Sequence, residues 1–259
     1  MGIHSLTKLI QSKSPDSIQT TSLYKLNGKK VAIDTSIFLY KSLSNIRKNG
    51  EYLTNTEGKV ISHIIGIINK AIQYIELGIT PIFIFDGKPP IEKQFVLIER
   101  NKKAKEAKLL SEKSTTPEDK QKYEKSSIRI KKHHIDDIKQ LLELMGISYI
   151  HAVGEAEVYA SELCRTGYVD YVLTEDMDTL PSGCPKMIRS CLDRSIKRTD
   201  VVSIIDLNKI LEDFEMDMSN FVDMCILCGC DYCPTIPKIG INRAFGYIKK
   251  YKTIEMLIE

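Results

Sequence analysis

Asp176 and Asp178, in the stretch VDYVLTEDMD, stand two residues apart at the end of an apolar run that reads as a buried strand. At strand spacing both side chains point to one face, and two like charges that close need a cation between them. Glu155 and Glu157, in VGEAEVYASEL, have the same spacing at the start of a helix. There it splits their directions, so one can reach a metal directly and the other through water or a second ion. Two further apolar runs end in acids, KKVAIDTS in Asp34 and TPIFIFDGKPP in Asp86. Hard oxygen ligands without accompanying histidine select Mg2+ or Mn2+ over Zn2+. Five to seven acids exceed what one Mg2+ needs and suit two ions about 4 Å apart, which stabilise the attacking and leaving oxygens of a phosphodiester displacement. An Asp after a strand also serves to cap the next helix. Capping accounts for any one of these acids as well as metal binding does, but poorly for all of them together.

Lys93 and Arg100, in PPIEKQFVLIER, are seven residues apart, nearly one helix face, shortly after Asp86. Leaning over the acids, they would neutralise a phosphate in the transition state, Arg as a bidentate fork and Lys as a point charge. Without the carboxylates they would read as surface cations.

CILCGCDYC, Cys225 to Cys233, packs four of the seven cysteines around Asp231. Structural zinc sites usually join two ligand pairs a dozen or more residues apart; this cluster is too compact for that, and a zinc knot is the weaker reading. Cys225 and Cys228 fit a helix as small apolar core residues, leaving Asp231, at the turn beyond it, free to face the same ions. In TIPKIGINRAFGYIKKY a turn at Gly240 precedes a helix carrying Arg243, Lys249 and Lys250. Backbone N–H groups at such a junction bind phosphate without reading bases.

The elements that must position these residues follow from periodicity. Helical patterns at Ser36 to Ile46, Ser62 to Leu77 and Ile135 to Met145, the last stopped by Gly146, alternate with the apolar runs. The alternation predicts an α/β fold with a mostly parallel twisted sheet covered by helices. Ligands of such sheets bind beyond the carboxyl ends of the strands, where Asp34, Asp86, Asp176 and Asp178 fall. Lys88 to Lys132 is different: polar, with about twice as many basic as acidic residues, it reads as an inserted helical element with SEKSTTPEDK (Ser111 to Lys120) as the loop at its tip.

A net charge of +3 gives the whole molecule no strong pull on nucleic acid, so any such binding depends on how the charges are distributed. The longest apolar stretch, VISHIIGIINKAIQYIELGI, is interrupted by His63, Lys70 and Glu76, which excludes a membrane span. The start has no signal-peptide layout, and Leu6 excludes a myristoylation signal at Met1-Gly2. An odd, clustered set of cysteines fits a reducing, intracellular compartment.

The segments MGI, VAIDTS, FDGKPP, LLELMGI, GEAEVYAS, TEDMDTL, CILCGCDYC and KIGINRA, in this order, closely resemble the flap endonuclease family of structure-specific 5′ nucleases, from Met1 to the last residue. The short insertion between Asp86 and Glu155 sets the chain apart from excision-repair nucleases with very long spacers. FDGKPP and CILCGCDYC favour flap endonuclease over the related 5′ exonuclease. The resemblance implies a PIN-like nuclease core in one integrated domain: residues 1–87, a helical gateway and cap insertion at 88–134, and 135–259 ending in a helix-two-turn-helix. It implies two Mg2+ ions, with Mn2+ able to substitute, held by Asp34, Asp86, Glu155, Glu157, Asp176, Asp178 and Asp231. Lys93 and Arg100 would steer the scissile phosphate from the base of the cap, under which a 5′ single strand threads. Tyr40 matches an aromatic that stacks on a base, Arg47 a DNA contact, and Gly2 a free N-terminus near the active site once Met1 is removed. Gly240, Arg243 and Lys249 belong to the helix-two-turn-helix, which grips the duplex backbone with a monovalent cation such as K+.

The expected activity is Mg2+-dependent cutting near the base of a 5′ flap in DNA replication and repair, independent of base sequence and steeply weakened by salt. The expected partner is branched DNA, bound by a monomer that is nuclear if the source is eukaryotic. Lys238 stands where the family has glycine, which bears on cation binding, and Cys228 and Cys230 stand where it usually has leucine and serine, which bears on oxidation. The chain stops at Glu259, short of segments that in the family help form a 3′ flap pocket and bind the sliding clamp, which leaves both functions in doubt. Three alternatives stay open: a 5′–3′ exonuclease, a protein that binds branched DNA without cutting it, and a small-molecule phosphatase using DMDTL as a D-x-D motif. The last is disfavoured because that motif normally follows the first strand and continues to Thr or Val, where Leu180 stands here. The cap's polarity and lack of apolar anchors predict disorder in the absence of DNA.

Overall fold

The computed structural model describes residues 3, 5–48, 51–193, 195–196, 198–233 and 235–258, without the side chains of 47, 48 and 51. The strands are β1 Ile18–Ser22, β2 Lys30–Asp34, β3 Arg47–Lys48, β4 Glu51–Tyr52, β5 Thr80–Phe85, β6 Tyr149–His151, β7 Tyr171–Leu173, β8 Lys186–Ser190 and β9 Val201–Asp206. The helices are α1 Leu6–Lys13, α2 Thr35–Asn45, α3 Ser62–Glu76, α4 Gln94–Lys113, α5 Pro117–Ser127, α6 Lys132–Leu144, α7 Ala156–Arg165, α8 Leu207–Phe214, α9 Met218–Cys228, α10 Ile241–Tyr251 and α11 Ile254–Ile258.

Seven strands form one sheet in the order β1-β9-β8-β7-β2-β5-β6. The run from β8 to β6 is parallel; β9 alone is reversed and pairs antiparallel with both β8 and the edge strand β1. This is the mostly parallel α/β sheet expected from the alternating pattern. Both faces are covered, which is why β2 and β5 are apolar on both sides. Val31, Ile33, Phe83 and Phe85 face a core shared with α3 and α6, whereas Ala32, Ile82 and Ile84 face one built with α1, α7, α8, α9 and α10. From β2 the chain extends the sheet through β5 and β6, then returns to place β7 on the other side of β2. The carboxyl ends of β2, β5 and β7 flank this switch point, the position where open α/β sheets bind ligands. Among the described residues no helix is long and apolar enough to cross a membrane.

The insertion departs from the expectation of disorder. α4 and α5 pack against each other, burying Ala104, Ala107 and Ser111, and Ile128 anchors the return to the core. Thr116 caps α5 by accepting the Asp119 N–H, with Pro117 at the first helical position. Because α4 runs through Lys113, the tip loop shrinks to residues 114–116. Small residues on the inner face, rather than the large apolar anchors whose absence suggested disorder, let the two helices approach closely.

Gly87 joins the sheet to the site. A Cβ there would lie 2.1 Å from the Ala152 carbonyl oxygen and 2.4 Å from that of Val153, while the Gly87 N–H donates to the Gly154 carbonyl at 2.7 Å. Both obstructing atoms are backbone and cannot rotate away. Gly87→Ala is therefore expected to cost about 1–3 kcal/mol in urea unfolding and to separate Asp86 from the loop leading to Glu155. Unchanged stability would contradict the close approach.

Candidate functional site

Each acid singled out in the sequence sits where a strand or helix ends. Asp34 is the last residue of β2 and caps α2, its Oδ1 accepting the Ile37 N–H at 3.4 Å, while Thr174 donates to Oδ2 at 3.0 Å. Capping and site geometry thus coexist in one side chain. Asp86 follows β5, accepts the Ala156 N–H of α7 at 2.9 Å, and takes a second hydrogen bond from Ser36. Glu155 holds the N-cap position of α7 without a side-chain capping bond, and Glu157 lies in the helix's first turn. Asp176 and Asp178 flank the start of a short 3-10 turn, Met177–Thr179, in which Asp176 accepts the Asp178 N–H at 3.2 Å. Asp231 occupies the turn after α9.

The protein's own cations sit among these acids. Lys93, buried at the base of the insertion, donates to Glu155 and lies 3.5 Å from Glu157 and 3.6 Å from Asp231. Arg100 on α4 donates through Nη2 to both oxygens of Asp231, at 2.8 and 2.7 Å. Burial works against the Lys93 charge, yet Glu155, Glu157 and Asp231 hold its pKa above the usual lysine range.

Among the described residues no three His, Cys, Asp or Glu side chains are already drawn together as a ligand set for one ion; Lys93 and Arg100 stand between them. The donor chemistry nevertheless fits a divalent cation. Both oxygens of Asp178 are buried without a well-formed hydrogen bond, helped only weakly by the Ile3 amide. Burying such a group unpaired is expensive. Burial first, then Asp176 and Asp231, pushes the Asp178 carboxyl up to about 7. Burial and Asp86 raise Asp34 to about 7, and burial and Glu155 raise Glu157 to about 8 against the opposing pull of Lys93.

A carboxyl whose pKa is higher folded than unfolded contributes a stability loss as pH climbs from the unfolded value near 4 to the folded one. His63 and His134, lowered chiefly by burial, act in the opposite sense below about pH 6.5. Above that pH their contribution fades within about one unit and the acids dominate. The metal-free chain is expected to lose on the order of 2–3 kcal/mol between pH 6.5 and 8, with added Mg2+ restoring it at pH 8. Urea unfolding in EDTA at the two pH values checks this, and a flat or rising stability would contradict it.

Tyr40 is 39% exposed on α2, its hydroxyl donating to the Lys125 carbonyl of α5 at 3.3 Å, so it spans core and cap. Gly240 caps α10 with open space around it. Arg243 donates to the Lys238 carbonyl at 2.7 Å, and Lys249 pairs with Glu215. Lys238 adopts a left-handed backbone, φ +69°, at the position where the sequence resemblance places a glycine. Gly2 and the Arg47 side chain lie outside the described residues.

Two contributors escaped the sequence reading. Tyr232, inside the CDYC motif, donates its hydroxyl to Glu155, and its ring lies 5.5 Å from the Lys93 ammonium. Thr174, the residue after β7, orients Asp34. The available signal was adjacency: each lies within two residues of an acid already singled out. The cysteines divide as expected, with Cys225 and Cys228 buried on α9.

The XPG N-terminal domain family matches residues 1–107, and the XPG I-region family matches residues 146–231. The whole chain is 40% identical to flap endonuclease 1 of Glycine max, covering 69% of that protein, and 39% identical to that of Enterocytozoon bieneusi, covering 72%. Flap endonuclease-1 from Methanococcus jannaschii superposes over 93% of this chain and 79% of its own with a TM-score of 0.70 and 32% identity. The catalytic core of Rad2 in complex with a DNA substrate superposes over 98% of this chain and 70% of its own, with a TM-score of 0.75 and 25% identity.

Proposed function

This chain belongs to the flap endonuclease family, and from that premise we propose that it is a divalent-metal-dependent nuclease that cuts branched DNA near the base of a 5′ flap. The carrying observation is Asp178, whose buried, unpartnered oxygens sit beside Asp176 and Asp231. Asp34, Asp86, Glu155, Glu157, Asp176, Asp178 and Asp231 would hold Mg2+ or Mn2+, which when bound supplies Lewis-acid activation of water and stabilises charge on the phosphate.

The remaining chemistry falls to the chain itself. Lys93 and Arg100 come from the base of the insertion, so a phosphate entering beneath it would exchange their acid partners for its own oxygens. Arg offers a fork and Lys a point charge to the developing negative charge. Tyr232 holds Glu155 and covers Lys93, limiting the positions the ammonium can take. Tyr40, tied to α5, offers an exposed ring on which a base can stack. Gly240 and Arg243 at the start of α10 suit a duplex backbone, which the N–H groups of a helix terminus can hold without reading sequence. The DNA held in the solved Rad2 complex supports this class of partner.

The test compares a 5′ flap with a duplex bearing a recessed 5′ end, both 3′-labelled. A single cut at the flap junction with little loss from the recessed end supports the flap reading. A ladder from the recessed end would shift the activity to 5′–3′ exonuclease.

A further inference from the structure

The turn that carries Asp231 is flanked by two thiols. Cys230 and Cys233 pair across it as an isolated antiparallel bridge, with their sulfurs 3.5 Å apart. Both are free and half-buried, whereas Cys164, Cys184, Cys225 and Cys228 are buried. Paired residues in antiparallel register have Cα atoms about 4.5–5.5 Å apart, inside the range a disulfide spans. Between the two cysteines stand Asp231, which holds Arg100 and lies 3.6 Å from Lys93, and Tyr232, which holds Glu155.

We propose that Cys230 and Cys233 form a reversible disulfide that slows the nuclease when the chain is oxidised. The oxidant is a two-electron peroxide. One sulfur takes an oxygen from hydrogen peroxide to become a sulfenic acid, releasing water. The second thiol attacks that sulfur, forming the S–S bond and expelling a second water. The two thiols together lose two electrons, the peroxide gains them, and a dithiol reductant reverses the step by exchange. Bond formation draws the sulfurs from contact to about 2.05 Å and fixes both cysteine side chains in one torsional geometry, to which the four-residue turn must conform. Asp231 and Tyr232 lie inside the ring so closed, and any adjustment of the turn moves them relative to Arg100, Lys93 and Glu155 on other elements. Misplacement by about 1 Å can cost about a hundredfold in rate.

This inference rests on the proposed nuclease activity, so its test keeps the two separable. The reduced full chain is treated with hydrogen peroxide, the peroxide is removed, and the protein is digested and sequenced by mass spectrometry. Flap cleavage is measured before oxidation, after it, and after dithiothreitol, with Cys230→Ser and Cys233→Ser in parallel. The expected result is loss of two hydrogens placed between Cys230 and Cys233, a 10- to 100-fold slower cut restored by dithiothreitol, and serine variants whose rates peroxide leaves unchanged. The proposal is overturned if the bond does not form, if it forms without slowing cleavage, or if the serine variants slow equally. If the reduced chain does not cut flapped DNA, the nuclease reading has failed. Mg2+ affinity by calorimetry then decides the switch, and an affinity unchanged by the bond overturns it.

Discussion

Asp178→Ala is expected to slow Mg2+-dependent flap cleavage by about a thousandfold or more while leaving the metal-free chain at least as stable as the parent. The first half follows from position: Asp178 is 3% exposed, and its oxygens have no well-formed protein partner. A bound cation would pair them, and ligand-site charge stabilisation is worth several kcal/mol to the transition state. The second half follows from electrostatics. Asp176 and Asp231 both raise its pKa, so removing the carboxylate relieves repulsion that offsets the small cavity left behind. An ordinary buried salt-bridge acid would behave oppositely, because its loss strands a partner charge. Single-turnover cleavage and urea unfolding in EDTA read the two halves separately. Cleavage within tenfold of the parent would remove Asp178 from the metal set.

Lys93→Ala is expected to lower cleavage by about 10²–10³-fold and to destabilise the metal-free chain by about 3–5 kcal/mol. The ammonium lies among Glu155, Glu157 and Asp231, so deleting it leaves buried acids uncompensated. Those same acids are then freer to bind a cation, and Mg2+ affinity is expected to hold or tighten as the cutting rate falls. That opposition distinguishes a group acting on phosphate from one that merely holds the fold. Lys93→Ala with weakened Mg2+ binding and an unchanged rate at saturating metal would contradict the role.

Where each acid would lie was legible from local pattern. Asp34, Asp86 and Asp176 end apolar runs whose strands the sheet places side by side, and Glu155 and Glu157 begin a helix as their spacing implied. Lys93 and Arg100 do reach the acids from one side, as seven-residue spacing suggested. That Lys93 sits between Glu155, Glu157 and Asp231 was not legible, because it depends on how the insertion's base packs against the turn after α9, a contact between segments more than 130 residues apart. The hydrogen bonds of Tyr232 to Glu155 and Thr174 to Asp34 likewise exist only once β2, β7 and the α9 turn are assembled. At the antiparallel edge β1 gave no signal, since Ile18–Ser22 is polar and short, whereas β9, VVSIID, carries the same apolar run ending in an acid as the central strands and was passed over. The insertion was misjudged because it buries alanines and a serine rather than the large side chains that pattern reading weighs.

The most direct test of the central claim is cleavage of an end-labelled double-flap DNA by this 259-residue chain and by Asp178→Ala, with Mg2+ and with EDTA, mapped to single nucleotides. A cut at the flap base that requires Mg2+ and disappears in the variant is the result the account predicts. Binding of the flap without any cut, or a cut that survives both EDTA and the substitution, would contradict it.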